Sequence, residues 1–154
     1  ITGDVMSWGW NDNGQCGRQN YGDLAAHSDS HRPQIVTGLS DVKGIRAGAL
    51  FSLCIGKDGT VWAFGAGGNG QLGQGDTKGN WQPQRVDTFP DETLIREAAC
   101  GDAHVLAVDD EGRLYAWGRN NHGQLGLGSF SDASVPEHVE DFYVVARVAF
   151  WGGG

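Results

Sequence analysis

The fold is decided by the stretch Gly59-Thr-Val-Trp-Ala-Phe-Gly-Ala-Gly-Gly-Asn-Gly-Gln-Leu-Gly73, because the same pattern occurs twice more without a gap. The other copies are Gly3-Asp-Val-Met-Ser-Trp-Gly-Trp-Asn-Asp-Asn-Gly-Gln-Cys-Gly17 and Gly112-Arg-Leu-Tyr-Ala-Trp-Gly-Arg-Asn-Asn-His-Gly-Gln-Leu-Gly126, at offsets of 56 and 53 residues. Self-similarity at a fixed period is typical of repeat architectures. We therefore expect one repeat domain over residues 1–154, with units at about 3–58, 59–111 and 112–154, the last of them truncated.

Each unit is predicted to contain about four β-strands. The runs at 61–64 and 114–117 are short, aromatic and bounded by glycines, as buried strands are. The apolar run at 105–108 is another predicted strand, and tight turns that end in glycine at 56–59 and 109–112 join such strands into hairpins. Shorter strands are expected beside each Pro-x-x-Val segment and before the Gly-x-x-His or Gly-x-x-Phe turns. Four strands in roughly 53 residues is the size of one propeller blade, and almost no helix is expected.

The composition fits a folded, turn-rich protein. Glycine accounts for 26 of 154 residues but does not recur at every third position, which excludes collagen. No apolar run is long enough to span a bilayer. The formal net charge of −8 falls on residues 87–154, whereas residues 1–86 are neutral. Because nucleic-acid affinity depends on Lys and Arg, direct nucleic-acid binding is not expected, and the acidic surface is either solvated or faces a basic partner.

The three cysteines, Cys16, Cys54 and Cys100, are widely spaced and form no CxxC motif. An odd number of cysteines without a secretory context indicates reduced thiols. The sequence also has no Asn-X-Ser/Thr glycosylation site. We therefore expect an intracellular protein of the cytoplasm or nucleus.

These motifs resemble the units of the regulator of chromosome condensation repeat family, whose pattern is Asp-Gly-x-Val-Trp-x-Trp-Gly-x-Asn-x-x-Gly-Gln-Leu-Gly. Residues 58–73 and 111–126 match it nearly throughout, and residues 3–17 match it with Met6 for the first aromatic and Cys16 for leucine. The resemblance implies an all-β propeller, usually of seven blades with about four antiparallel strands each. Three units would form roughly three blades of an incomplete propeller, which further blades or another chain would complete. The residues expected to maintain the repeat are its motif tryptophans and glycines: Trp8, Gly9, Gly14, Gly17, Trp62, Gly65, Gly70, Gly73, Trp117, Gly118, Gly123 and Gly126.

No catalytic residue, metal site or cofactor is predicted. Residues 65–70 satisfy GxGxxG after a strand, but no helix is expected to follow, and a dinucleotide site needs a helix N-terminus for the pyrophosphate. His27 and His31 are four residues apart in a polar segment without nearby cysteines, which argues against zinc. His104 occupies a repeat position and is interpreted as a structural hydrogen-bonding residue.

Partner contacts are expected where the repeats differ. Trp8, Trp62 and Trp117 fall in the strand motif and are predicted to be core residues, whereas Trp10 takes a position filled by Ala66 and Arg119 in the other copies. The first unit has six extra residues within 18–32, and the segment at 88–93 is about three residues longer than its counterpart. Loops of this kind often carry function. The candidate contact residues are Trp10, Tyr21, His27, His31, Trp81 (placed in a polar loop), Phe89 and Arg119.

The leading functional hypothesis is a non-catalytic protein-interaction platform or scaffold, part of a longer protein, whose variable loops contact another protein. The first alternative is guanine nucleotide exchange on a small GTPase, which is the activity of the family's founding member. A second alternative is a substrate-recruiting propeller of a ubiquitin ligase. Nucleosome binding is disfavoured by the acidic residues 87–154 and by the lack of a basic tail.

Overall fold

The computed structural model describes residues 3–18, 30–140 and 147–149, which contain ten β-strands and no helix. The strands are β1 Met6–Gly9, β2 Ser30–Ile35, β3 Val42–Ala47, β4 Phe51–Gly56, β5 Val61–Gly65, β6 Asn80–Arg85, β7 Ile95–Cys100, β8 His104–Asp109, β9 Leu114–Gly118 and β10 Ala133–His138. The predicted strands at 61–64, 105–108 and 114–117 are confirmed as β5, β8 and β9. No helix in these parts of the chain is long and apolar enough to cross a membrane.

The strands form two four-stranded antiparallel sheets, in the orders β3-β4-β5-β6 and β7-β8-β9-β10, and a two-stranded sheet of β1 and β2. Each four-stranded sheet is one propeller blade, which confirms the predicted fold class. The sheets are offset from the sequence repeats. The unit at 59–111 supplies the last two strands of one blade and the first two of the next, so that the blades lie at 42–85 and 95–138.

The predicted glycine hairpins join the second and third strands of each blade. Gly59 has a φ of 81°, and its N–H donates to the Gly56 carbonyl oxygen at 3.0 Å. In the next blade the carboxylate of Asp109 is fully buried and accepts bonds from the N–H groups of Glu111 and Arg113 at 3.0 and 2.8 Å. Arg113 Nε closes the same turn with a 2.6 Å ion pair. Glycine at the left-handed position lets each hairpin reverse within four residues.

The three repeated prolines lie on outer strands. Pro33, Pro83 and Pro136 fall within β2, β6 and β10, each of which ends its sheet. Proline cannot donate a backbone hydrogen bond, so it is tolerated on an edge strand. The residue three positions after each proline, Val36, Val86 or Val139, then turns back into the core.

The core is packed between successive repeats. Trp117 is fully buried, and a Cβ atom on Gly73 of the preceding repeat would lie 2.9 Å from its Nε1. Phe64 takes the same position one repeat earlier and lies as closely against Gly17. Glycine is required at both places because any side chain would occupy the space of the ring.

Burial of the motif tryptophans differs from the prediction. Trp117 is buried as expected, but Trp62 is only half-buried and Trp8 is 61% exposed. The position of Trp8 matches that of Phe64 and Trp117, which are buried by the glycine turn of the preceding repeat. No such turn precedes β1 in the part of the chain that the structure describes. The expectation that Trp8 is a core residue is therefore wrong for this structure.

All three cysteines carry free thiols, with Cys16 and Cys54 buried and Cys100 half-buried. Cys54 lies on β4 and Cys100 on β7. Burial raises the pKa of the Cys54 and Cys100 thiols to about 12, because the thiolate would lose its hydration. These two thiols are therefore protonated at neutral pH and are poor nucleophiles.

Candidate functional site

Two long connections leave the same end of the blades. They join β5 to β6 at 66–79 and β9 to β10 at 119–132, and the shorter turns at 48–50 and 101–103 lie beside them. We call this end the long-loop face. The opposite end, which carries the hairpins at 56–60 and 109–113 and the connection at 86–94, is the short-turn face.

A groove of about 660 Å³ opens on the long-loop face, where segments of all three repeats meet. Its size falls within the usual range of ligand-binding clefts. It is lined by Asp12, Asn13, Ala49, Leu50, Ala66, Gly67, Gly68, Asn69, Gln71, Gly79, Trp81, Asp102, Ala103 and Arg119.

The groove exists because the middle repeat departs from its neighbours. Its residues 66–68 are Ala-Gly-Gly, whereas the corresponding residues are Trp-Asn-Asp at 10–12 and Arg-Asn-Asn at 119–121. At the first and third of these positions, Ala66 and Gly68 thus line the groove where the other repeats carry larger or polar side chains. Short side chains leave the space that the groove occupies.

The asparagine of the outer repeats holds a turn together. Asn11 and Asn120 are fully buried, and their Oδ1 atoms accept hydrogen bonds from the N–H groups of Cys16 and Leu125 at 2.8 and 3.0 Å. The middle repeat has Gly67 at the corresponding position, because a Cβ atom there would lie 1.8 Å from the carbonyl oxygen of Lys78. The close approach of this loop therefore accounts sterically for the middle glycine of the GxGxxG pattern.

Two of the predicted contact residues come together at the groove. Trp81 and Arg119 both line it, and Trp81 is 37% exposed. The prediction placed Trp81 in a loop, but it is the second residue of strand β6. Its Cδ2 atom lies 3.2 Å from the place where a Cβ of Gly14 would stand, so the ring covers the turn of the preceding repeat.

The other predicted contact residues lie elsewhere. Trp10 is 55% exposed on the β1–β2 connection but does not line the groove. His31 is exposed on strand β2, not in a loop as predicted. Tyr21 and His27 lie outside the described residues.

Phe89, predicted to contact a partner, is half-buried, and its ring packs edge-on against both Tyr115 and Trp117, with centroid distances of 5.6 Å in each case. The connection at 86–94 turns this side chain inwards at the short-turn face. Its extra length therefore adds packing between repeats, because the aromatic ring closes over the core.

Sequence reasoning missed several residues of the long-loop face. Asp12, Leu50 and Asp102 line the groove, and Phe130 is 74% exposed on the 119–132 connection. The signal for Phe130 was a large aromatic residue between two serines in a polar loop. No comparable signal distinguished Asp102 from other acidic residues, since only the fold brings its turn beside the loop at 66–69.

Within the described part of the chain, the charged side chains that line the groove are those of Asp12, Asp102 and Arg119. His104 follows the same turn as Asp102 but is half-buried. Burial lowers the pKa of its imidazole, and the nearby charge of Asp102 opposes that shift.

Among the residues described, no cluster of three or more His, Cys, Asp or Glu side chains is arranged to hold a metal ion. The lining of the groove thus combines an aromatic ring, two carboxylates and one guanidinium.

Comparison with known proteins shows the family. The Regulator of chromosome condensation (RCC1) repeat model matches residues 2–55, 58–108 and 111–150. The chain is 38% identical over 138 residues to the Ultraviolet-B receptor UVR8 of Arabidopsis thaliana, covering 88% of this chain and 30% of that protein. It is 33% identical over 152 residues to the Probable E3 ubiquitin-protein ligase HERC6 of Homo sapiens, covering 97% of this chain and 14% of HERC6.

A solved structure shows the same fold. The crystal structure of Prp20p from Saccharomyces cerevisiae, described together with its binding properties to Gsp1p and histones, superposes with a TM-score of 0.76 at 25% identity. The match covers 90% of this chain and 34% of Prp20p, so the chain spans about a third or less of these relatives. The repeated motif, the offset blades and these matches together identify the chain as a member of the regulator of chromosome condensation repeat family.

Proposed function

We propose that this chain is part of a protein-interaction platform, in which a partial propeller presents its long-loop face to a protein partner. The observation that carries the proposal is the groove and its exposed tryptophan on that face. Trp81, Arg119 and Phe130 are available there without contributing to the buried core. Partly exposed aromatic and arginine side chains are enriched at the energetic centres of protein interfaces.

Comparison of residue identities between the repeats supports the same role. Matching buried positions of the second and third repeats hold the same residue, as with Ala63 and Ala116 or Leu72 and Leu125. Positions at the groove differ, as Ala66 does from Arg119. A fold maintained by uniform buried residues with varied residues on one face is suited to selective binding, because the blades keep that face rigid.

The test uses the full-length protein in complex with a partner identified by cross-linking at the long-loop face. Arg119→Ala and Phe130→Ala are expected to weaken that complex at least tenfold while the melting temperature stays unchanged. The matched control is Asp91→Ala on the short-turn face, which should leave binding intact. Equal loss in the control, or no loss in either long-loop variant, contradicts the proposal.

Guanine nucleotide exchange is the second candidate. It is favoured by the likeness to Prp20p, which is described with its binding to Gsp1p. An exchange factor binds the nucleotide-free GTPase best and needs no catalytic side chain of its own. The full-length protein would then accelerate GDP release from one member of a panel of small GTPases, and no acceleration across the panel excludes this candidate.

Recruitment of a substrate to a ubiquitin ligase is a further candidate, favoured by the identity to HERC6. Under this hypothesis the propeller selects the substrate and another domain of the protein transfers ubiquitin. Ubiquitination of the bound partner, lost in Arg119→Ala and retained in Asp91→Ala, would support it. A partner that binds but is never modified by the full-length protein would exclude it.

The partners inferred are proteins, and direct binding to nucleic acid is not part of the proposal. Location in the cytoplasm or nucleus remains a prediction from the cysteine pattern. Further blades or another chain complete the propeller under this proposal. Fractionation of cells that express the full-length protein tests the location.

A further inference from the structure

We propose that the groove on the long-loop face binds an extended protein segment through a single lysine or arginine side chain. This inference rests on the proposed function, since it names the chemistry of the partner segment. The occupant is a basic residue of a flexible loop or tail rather than a long basic run.

The shape of the groove favours an inserted side chain. Ala66, Gly67 and Gly68 form one wall, and Gly79 and Ala103 add further small residues. In the other repeats the position of Ala66 holds Trp10 or Arg119. The small side chain of Ala66 therefore leaves room in the groove for a side chain from a partner.

The chemistry of the groove favours a cation. The indole of Trp81 is partly exposed at the groove, and a tryptophan face is the best aromatic partner for an ammonium or guanidinium group. Asp12 and Asp102 add two carboxylates to the lining. The chain as a whole carries a formal charge of −8, which favours the approach of a positively charged segment.

Arg119 limits how many positively charged side chains of a partner the groove can accept. Among the described residues that line the groove it is the one Lys or Arg side chain, and it would repel a second positive charge. It would also pair with a carboxylate or a carbonyl of the same segment. A single basic residue beside neutral or acidic residues is therefore the pattern that fits.

The site belongs to one groove and is not a general property of the repeat. A Cβ on Gly14 would lie 2.7 Å from Trp81 Cα, and a Cβ on Gly70 would lie 2.7 Å from Ser134 Cα. Ser134 is thus the counterpart of Trp81 in the next repeat. Because serine offers no aromatic face, the corresponding position there lacks the proposed cation contact.

The experiment is fluorine NMR of the full-length protein labelled with fluorotryptophan, with the Trp81 resonance assigned from Trp81→Phe. The probe is the peptide acetyl-Gly-Arg-Gly-amide, compared with the same peptide carrying neutral citrulline or glutamate. The arginine peptide should shift the Trp81 resonance in a saturable manner. The citrulline peptide should bind about tenfold more weakly, because it keeps the shape and loses the charge.

Two variants locate the site. Ala66→Arg copies the residue of the third repeat and should abolish the shift, whereas Ser134→Ala should leave it unchanged. If Ala66→Arg is misfolded, Asp102→Asn is the second variant and should weaken arginine binding severalfold. Absence of a Trp81 shift, equal binding of the citrulline or glutamate peptide, or full binding by well-folded Ala66→Arg and Asp102→Asn overturns the inference.

The platform proposal can survive that outcome. If Arg119→Ala and Phe130→Ala weaken the partner complex but the arginine peptide does not bind, the long-loop face binds its partner through other chemistry. If neither the partner complex nor the peptide depends on these residues, both proposals fail. The two results therefore separate the partner surface from the proposed cation site.

Discussion

The Nε1–H of Trp117 donates a 3.0 Å hydrogen bond to the carbonyl oxygen of Gln71, in the glycine turn of the preceding repeat. The ring of Trp117 also lies where any side chain on Gly73 would have to stand. One residue thus joins two repeats through both packing and a buried polar contact. Phe64 makes the packing contact with Gly17 one repeat earlier but has no N–H to donate.

Trp117→Phe tests the polar part of this contact. The substitution keeps an aromatic ring, leaves the buried Gln71 carbonyl without its partner and removes part of the buried indole, so we expect a loss of about 1–3 kcal/mol in the free energy of unfolding. Trp117→Ala should cost about 3–5 kcal/mol, because it opens a larger cavity. Trp62→Ala should cost less than Trp117→Ala, since Trp62 is half-buried. Urea unfolding measures all three, and a neutral Trp117→Phe would show that the hydrogen bond adds no stability.

The sequence predicted the strands well but not their grouping into sheets. Aromatic and apolar runs between glycines at 61–64 and 114–117 predicted strands β5 and β9. A repeat of about 53 residues holds four strands wherever counting starts, so periodicity alone does not reveal which strand begins a blade. The predicted boundary between the first two repeat units, at residues 58 and 59, therefore falls inside the sheet β3-β4-β5-β6.

The site was partly predictable. Comparison of matching positions singled out Trp10 and Arg119, and a polar context singled out Trp81; of these, Trp81 and Arg119 line the groove. The same comparison placed Trp8 in the core, because a sequence position does not tell whether a preceding turn covers it. Loop length alone did not show that the ring of Phe89 packs against Tyr115 and Trp117, since an insertion can fold inwards as well as outwards.

The distribution of charge over the two faces depends on the fold and not on the order of residues along the sequence. Asp41 and Asp58 belong to the neutral part of the sequence, and Asp91 and Asp110 to the acidic part, yet all four lie at the short-turn face. Antiparallel strands bring alternate connections to the same end of a blade. The unequal charge of the two halves of the sequence therefore does not describe the charge of the two faces.

Gly67→Ala is expected to destabilise the protein. A Cβ at this position would lie 1.8 Å from the Lys78 carbonyl oxygen, so the loop at 74–79 must move and the free energy of unfolding should fall by about 1–3 kcal/mol. Gly68→Ala is the matched control, because a Cβ there meets nothing within 4 Å. It should be neutral or slightly stabilising through the unfolded state. Equal effects of the two substitutions in urea unfolding would contradict this steric interpretation.

His104 should make the stability fall in mild acid. Burial lowers the pKa of its imidazole below the usual value of 6.5, so the unfolded chain binds the proton more readily than the folded one. The stability associated with neutral His104 is therefore present above pH 6.5 and is lost as the pH falls through the lower pKa of the folded state.

His104→Phe tests that dependence, because Phe51 occupies the same position in the first repeat. The Cε1 atoms of Phe51 and His104 lie 2.0 and 2.1 Å from the places where Cβ atoms of Gly48 and Gly101 would stand, so phenylalanine fits the same packing. Urea unfolding between pH 5 and pH 7.5 should show a smaller loss of stability for His104→Phe than for the unmodified protein. An unchanged pH dependence would mean that other groups cause it.

Trp8→Ala and Phe64→Ala should differ strongly although the two residues share one repeat position. Phe64 is 2% exposed against Gly17, and its truncation should cost about 3–5 kcal/mol. Trp8 is 61% exposed, so its truncation in the chain of 154 residues should change the free energy of unfolding by about 0.5 kcal/mol or less.

The same comparison in the full-length protein tests whether a preceding repeat covers Trp8. Met6, on the same side of strand β1 as Trp8, is also more than half exposed, whereas its counterpart Tyr115 is buried. If a glycine turn packs on this side as Gly17 does on Phe64, Trp8→Ala should become nearly as costly as Phe64→Ala. A cost that stays near zero in the full-length protein would mean that this side of the β1-β2 sheet remains open, because a covered indole cannot be removed without leaving a cavity.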